Sequence, residues 1–220
     1  MSLRAAFAVL VKDARCELRS KQALSAVLLF AVTSTVAVSF TLSGAGSDSA
    51  VASTLLWVVI YFSAMAGLSR SFAHEEETYT AGLLRLAVPA ECVYIGKLAF
   101  NFVTLAAVEI VTVPLFVVLT DCHVGRVGAF VMMLVLGSMA LSAGATTAAA
   151  MVSRAASKGA LFAGVSFPLL APALGIAIAG TNAAMASLAT GSGADMRLLI
   201  YYCGIVITAS LMLFRYIWEE

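Results

Sequence analysis

Carboxylates stand at two places where their type and spacing could do chemistry. Glu75, Glu76 and Glu77 are consecutive within the stretch HEEETYTAGLLRLAVPAE, residues 74–91. Glu109 lies alone in an apolar stretch further along the chain. A run of carboxylates attracts basic surfaces, whereas a single carboxylate in an apolar run must be satisfied by protein or water. We interpret the acidic run as a binding surface and predict no catalytic residue.

The composition indicates a membrane protein with several spans, because 62% of the 220 residues are hydrophobic and only 11% are charged. A helix of roughly 20 apolar residues crosses a hydrocarbon core about 30 Å thick. Six stretches of this kind occur, at about 23–43, 50–69, 98–120, 127–152, 159–180 and 197–217. We therefore predict an all-α membrane protein with six transmembrane helices, in one domain over 23–217.

The basic residues predict the orientation of these spans. Eleven of the 13 Lys and Arg residues fall on one side, and only Arg126 and Arg197 fall on the other. Because Lys and Arg near span ends are retained in the cytoplasm, both termini are predicted to be cytoplasmic, including the tail 218–220. The connection 70–97 is then the longest cytoplasmic loop.

The segment 1–22 is predicted to form an amphipathic helix on the cytoplasmic membrane surface. One face of this helix is apolar and consists of Leu3, Phe7, Leu10, Val11, Ala14 and Leu18. Basic residues flank that face, namely Arg4, Lys12, Arg15 and Arg19. Such a helix lies on an anionic leaflet, so membrane lipids are expected partners. A plain extension that only follows the charge rule remains the alternative.

Motifs for metals, nucleotides and disulfides are missing from the sequence. The four cysteines are scattered, without a CxxC pair or metal-ligand spacing, and no phosphate-binding GxxxxGK[ST] loop occurs. If ATP drives this protein, another chain hydrolyses it. We predict a non-catalytic membrane subunit that binds no metal and has no nucleic-acid partner.

A short helix is predicted after the acidic run. Thr78 or Thr80 would cap it, and Pro89 would end it. The helix would present Tyr79, Leu83, Leu84 and Leu86 to an apolar surface. Two interpretations stay open: the leucines fold back on the bundle or the lipid, or they dock a cytoplasmic partner. The predicted docking residues are Glu75, Glu76, Glu77, Tyr79, Leu83, Leu84 and Arg85.

Glu109 is predicted to lie near the middle of the membrane, about 18 Å from Lys97 at a rise of about 1.5 Å per residue. A carboxylate there costs about 2.5 kcal/mol or more, so it must face protein or water. It either belongs to a translocation pathway or subunit interface, or it is a packing group bound by Thr104, Thr112 or a neighbouring serine. Pro114 is expected to kink the same helix.

Three further features bear on the spans and their loops. Span four carries small residues at helical spacing, which predicts burial within the bundle or at a seam between two copies. Span five contains Pro168 and Pro172, near a possible pathway or interface, and two forms of it stay open: a continuous helix, or a broken or re-entrant segment. His123 lies in a predicted external loop, with no second potential ligand beside it.

The stretch RSFAHEEETYTAGLLRLAVPAECVYIGKLAFN, residues 70–101, resembles the cytoplasmic loop and third span of the CcmB family, the heme exporter B subunits of cytochrome c maturation. Matching positions are Arg70, Ser71, Phe72, Ala73, Glu75, Glu77, Gly82, Leu83, Leu84, Tyr94, Gly96 and Lys97. The ending LFRYIWEE is similar to that family's acidic ending, and PLLAPALG to its proline-rich fifth span. The resemblance covers nearly the whole chain.

This resemblance implies an ABC-2-type permease fold within a complex of the bacterial inner membrane. Similar proteins pair with a separate ATPase, CcmA, and act with CcmC and CcmD to deliver or release heme to the chaperone CcmE. The expected partners are therefore CcmA-like, CcmC-like, CcmD-like and CcmE-like chains, with two copies of this subunit. Heme is expected as a substrate and not as a resident cofactor, and the partner ATPase binds ATP. Under this resemblance His123 is a weak candidate for a heme ligand, because no second ligand accompanies it.

Two other functions remain open at this point. An ABC-2 permease for a lipid, polysaccharide or drug would share the acidic run, the short apolar helix and the lysine that opens span three. An ion-coupled secondary transporter would be built on Glu109 and would need no ATPase. The chain has no recognisable inverted repeat, which disfavours the secondary transporter.

Overall fold

The computed structural model describes residues 3–20, 22–42, 48–68, 72, 81–153, 158–187 and 192–219. Within these ranges the regular elements are all helices, and strands are absent from them. The helices are α1 (Leu3–Ser20), α2 (Gln22–Leu42), α3 (Ser49–Leu68), α4 (Ala81–Ala87), α5 (Ala90–Thr120), α6 (Val127–Val152), α7 (Lys158–Met185) and α8 (Ser192–Glu219).

Six of these helices are long and apolar enough to cross a membrane, which confirms the predicted fold class. They are α2, α3, α5, α6, α7 and α8. Because successive spans run in opposite directions, the starts of α2, α5 and α7 lie at the same end as the termini of α3, α6 and α8. We call this end, which also holds α1 and α4, the α4 end.

Helix α6 is the central helix of the bundle, since it packs against α3, α5, α7 and α8. Its residues are buried without interruption over 140–150. A Cβ atom on Gly137 would overlap the indole ring of Trp57, so only glycine fits at this crossing. The Trp57 indole N–H in turn donates to Thr181 Oγ1 over 2.8 Å. The small residues of span four therefore serve packing within one subunit.

Helix α5 begins at Ala90, although the sequence predicted the third span to start at residue 98. Pro89 precedes its first turn with φ −57°, and the Pro89 carbonyl accepts hydrogen bonds from the amides of Cys92 and Val93. The side chains of Cys92, Val93 and Tyr94 are fully buried. Apolar packing thus extends the helix into residues 90–97, which were predicted to be part of a loop because they include charged residues.

Span five is continuous, because α7 is one helix through Pro168 and Pro172. Each proline removes one backbone hydrogen bond, which the carbonyl of Gly164 or of Pro168 would have accepted, and the rest of the helix continues on both sides. The Tyr202 hydroxyl on α8 donates to the Leu169 carbonyl and so holds α7 to α8 between the two prolines. Helix α5 likewise continues through Pro114, and the kink expected there stays a prediction.

The opposite end of the bundle is tied together by hydrogen bonds. The Gly125 and Arg126 amides donate to the carbonyls of Met185 and Ala184, over 3.2 and 3.0 Å. Ser49 Oγ donates to Asn182 Oδ1 over 2.8 Å. The loop between α5 and α6 and the start of α3 are therefore both held to the end of α7.

Candidate functional site

The short helix predicted after the acidic run is present as α4, Ala81–Ala87. It ends before Pro89, as the sequence predicted. Glu75, Glu76, Glu77 and Tyr79 lie outside the described residues, as do the predicted caps Thr78 and Thr80. The side chains of Leu83 and Arg85 are also outside the described part.

The leucines of α4 divide between the bundle and its exterior. Leu84 is half-buried and packs against the hydrophobic core, while Leu86 is 88% exposed. Gly82, on the same helix, is also exposed. Leu84 therefore folds back on the bundle, whereas the docking of a partner by this helix stays a prediction, for which Leu86 is exposed.

Four aromatic side chains meet at the α4 end and connect segments that are distant in sequence. Phe72 comes from the connection after α3, Tyr94 from the start of α5, and Phe214 and Trp218 from the end of α8. The ring centroids of Phe214 lie 5.7 Å from Phe72, 5.5 Å from Tyr94 and 5.4 Å from Trp218. These residues were singled out in the sequence only as family matches, and their contact could not be foreseen from spacing.

Lys97 forms the charged centre of this end of the bundle. Its ammonium group lies 3.2 Å from Asp13 Oδ2 in α1 and 4.9 Å from the centroid of the Phe72 ring. The side chains are 2% and 9% exposed, so this ion pair is buried. Asp13 Oδ1 also lies 2.9 Å from the more exposed Lys12 ammonium group. Sequence reasoning missed Asp13, although an acid on a basic helix was a usable signal.

Helix α1 approaches α5 closely at Gly96. A Cβ atom built on Gly96 would lie 2.7 Å from the Ala6 carbonyl oxygen and 2.7 Å from Val9 Cβ. Glu17 also fixes α1, because its Oε1 accepts a 2.7 Å hydrogen bond from the Leu24 amide at the start of α2. The α4 end is thus a junction of α1, α2, α5, α8 and the connection that leads to α4.

Polar side chains link α5 to α6 inside the membrane region. Glu109 is 8% exposed, and its Oε1 lies 2.5 Å from Ser138 Oγ, which also lies 2.7 Å from the Leu134 carbonyl oxygen. Closer to the α4 end, Asn101 Nδ2 donates to Thr146 Oγ1 over 2.8 Å. The neighbouring serine foreseen as a packing partner for Glu109 is therefore Ser138.

The remaining candidates do not join this polar contact. Pro114, Pro168 and Pro172 are all exposed, so none of them packs against Glu109 in the bundle core. His123 is exposed in the loop at the opposite end. Among the residues that the structure describes, no three His, Cys, Asp or Glu side chains are grouped as a metal would require.

Comparison with known protein families identifies a match over nearly the whole chain. The family model for CcmB protein matches residues 4–216, which include all of the membrane-spanning helices. No curated protein matches the chain. Membership of that family implies a heme exporter permease role in cytochrome c maturation. The chain therefore belongs to the CcmB family, whose members are multi-pass membrane permease subunits of heme transport.

Proposed function

We propose that this chain is the non-catalytic membrane subunit of an ABC-type complex, in which a separate CcmA-like ATPase binds ATP and moves the membrane helices. The observation that carries the proposal is α4, a short helix outside the spans that exposes Leu86 and leads directly into α5. The distribution of basic residues supports a cytoplasmic position for this end and for both termini, at the bacterial inner membrane, where an ATPase would have access.

The contacts at the α4 end provide a route for movement. Only Val88 and Pro89 separate α4 from α5, and the Val88 amide donates to the Leu84 carbonyl over 3.0 Å. A force on α4 would therefore act on the first turn of α5. From there the buried Lys97 would pass it to α1, and Tyr94 would pass it to α8. Well-packed junctions of this kind move as units and do not deform smoothly.

The surrounding complex is proposed from the family. CcmC-like and CcmD-like membrane subunits and a CcmE-like chaperone would act with two copies of this chain, with heme as the substrate. Glu75, Glu76 and Glu77 would meet basic residues of the ATPase, beside an apolar contact made by α4. Leu86 joins the docking residues proposed from the sequence, because Leu84 is partly occupied by the core.

A charge in the apolar part of α4 tests this docking surface. Leu86→Asp, in the full complex, is expected to reduce co-purification of the ATPase by about tenfold or more, since a desolvated carboxylate opposes an apolar contact. Reversing the charge of Glu75, Glu76 and Glu77 together is expected to act in the same direction.

The matched control is Val127→Asp, which adds the same charge to an exposed apolar residue at the opposite end. It should leave recovery of the ATPase unchanged. Unchanged recovery with Leu86→Asp, in protein that inserts normally, would remove α4 from the docking surface.

A further inference from the structure

Helix α1 has three distinct faces, of which one is buried against the bundle and two are exposed. Ala6, Val9 and Asp13 are buried against the bundle, at 6%, 2% and 9% exposure. An apolar face points away from the bundle and contains Leu3, Phe7 and Leu18, which are 74%, 66% and 65% exposed. A basic face is formed by the exposed residues Arg4, Arg15 and Arg19. At about 100° per residue, these faces lie roughly a third of a turn apart.

The rotation of α1 about its axis is fixed by its buried face. The ion pair between Asp13 and Lys97 and the close approach at Gly96 hold this face against the start of α5. Gly96 and Lys97 lie in the first two turns of α5, which begins at Ala90, so α1 lies at the end of the bundle where the membrane boundary is expected. The apolar face and the basic face are consequently presented together at the membrane boundary.

The exposed charged residues on the outward surface of α1 are basic. The two acids of the helix contact other elements: Asp13 pairs with Lys97, and Glu17 Oε1 accepts a hydrogen bond from the Leu24 amide. Arg4, Arg15 and Arg19 form no ion pair with the described residues. A guanidinium group binds phosphate through two parallel hydrogen bonds, and apolar side chains beside it favour the acyl-chain boundary.

We propose that the outward surface of α1 is a binding site for anionic phospholipid. Leu3, Phe7 and Leu18 lie among the upper acyl chains, and Arg4, Arg15 and Arg19 bind the headgroup phosphates. The complementary charges favour a lipid with a net negative headgroup over a zwitterionic one. Because the opposite face of α1 is fixed to Lys97, bound lipid also restrains the start of α5. This assignment does not depend on the docking of an ATPase at α4.

Native mass spectrometry of the purified full chain tests the site, with phosphatidylglycerol and phosphatidylcholine as the two probes. Replacing Arg4, Arg15 and Arg19 together by Gln is expected to lower the affinity for phosphatidylglycerol by at least about tenfold. Phosphatidylcholine binding should change little. The same three positions replaced by Lys should retain most of the phosphatidylglycerol binding, which separates loss of charge from loss of folding.

The control variant carries Arg126→Gln and Arg197→Gln, which remove basic residues predicted for the opposite leaflet. It should bind phosphatidylglycerol with the affinity of the original chain. The proposal is overturned if the triple Gln variant binds phosphatidylglycerol normally, or if the control loses it equally. A third outcome would also overturn the proposal. The triple Gln variant, isolated from native membranes, would keep its bound phospholipid but lose a protein that co-purifies with the original chain. Leu86→Asp should leave lipid binding unchanged, so failure of ATPase docking is recognised separately.

Discussion

The ammonium group of Lys97 is enclosed by protein at the point where the third span begins. Asp13 supplies the opposite charge, and the face of Phe72 adds a cation–π contact at 4.9 Å. Removing one partner of a buried pair leaves a charge without compensation, whereas an exposed pair contributes little. Asp13 forms one pair of each kind: a buried pair with Lys97 and a more exposed pair with Lys12.

A double-mutant cycle on this pair measures the attachment of α1 to α5. Asp13→Asn and Lys97→Met are each expected to lower the free energy of unfolding by about 3–5 kcal/mol. The double variant should lose less than the two combined, by about 1–3 kcal/mol. Unfolding in mixed detergent micelles provides the measurement. The control cycle, Asp13→Asn with Lys12→Met, should give a coupling below about 1 kcal/mol, and equal couplings in both cycles would contradict the buried junction.

Glu109 is held by Ser138, whose hydroxyl has a single hydrogen but contacts two oxygens, Glu109 Oε1 and the Leu134 carbonyl. A glutamine amide can donate to Ser138 while Ser138 donates to Leu134. We therefore expect Glu109→Gln to keep both stability and heme-dependent cytochrome c maturation. Glu109→Leu should cost about 0.5–2 kcal/mol, as the loss of an interhelical hydrogen bond does.

Maturation assays in cells, combined with thermal unfolding of the purified variants, distinguish the two roles of Glu109. Loss of maturation in a stable Glu109→Gln variant would place the carboxylate in a pathway or a coupling step. If transport also proceeded without any ATPase, the ion-coupled mechanism would replace the present one.

At the scale of elements, α6 allows close packing through the glycine that faces Trp57. Gly137→Ala places a methyl group where the indole ring lies, so the ring must move and its bond to Thr181 is strained. We expect a loss of about 1–3 kcal/mol, as for overpacking in other cores. Gly128→Ala is the matched control in the same helix, because nothing lies within 4 Å of its added Cβ. Thermal unfolding should give Gly128→Ala a clearly higher Tm than Gly137→Ala, and equal Tm values for the two variants would contradict this packing.

The elements themselves followed from hydropathy and from a few local signals. Uncharged runs of membrane length gave the six spans, and Pro89 after an apolar stretch gave α4. The early start of α5 was missed because Glu91 and Lys97 suggest a soluble loop, and only burial of Tyr94 and Lys97 between other helices reverses this. The continuity of α7 was left open because a proline weakens a helix locally, whereas the contact of Leu169 with Tyr202 belongs to another helix and cannot be read from the sequence.

The candidate site was less predictable than the spans. Asp13 and Lys97 are separated by 84 residues, and no periodicity in one sequence relates them. Glu109 was correctly placed inside a span, but its partner required the packing of α5 on α6. Long-range pairs of this kind are decided by how helices cross, which hydropathy does not determine.

In the part of the chain that the structure describes, the buried ion pair of Asp13 with Lys97 lies at the α4 end, and backbone hydrogen bonds hold the loop between α5 and α6 to α7 at the opposite end. We propose that an input of energy is received at this α4 end, where α1 and α8 pack against α5 and α4 precedes α5 along the chain. The orientation inferred from basic residues predicts that this end faces the cytoplasm. Membership of the CcmB family implies a role in heme transport. The proposed mechanism includes an ATPase that binds at this end.

Site-specific photocrosslinking from position 86 tests this account most directly. A photoreactive phenylalanine analogue in place of Leu86, in cells that express the complete complex, is predicted to form a crosslink to the ATPase subunit. The same analogue in place of His123, exposed at the opposite end, should form none. A crosslink from position 86 only to lipid or to another membrane subunit, with the ATPase present and active, would contradict the proposed docking of the ATPase at α4.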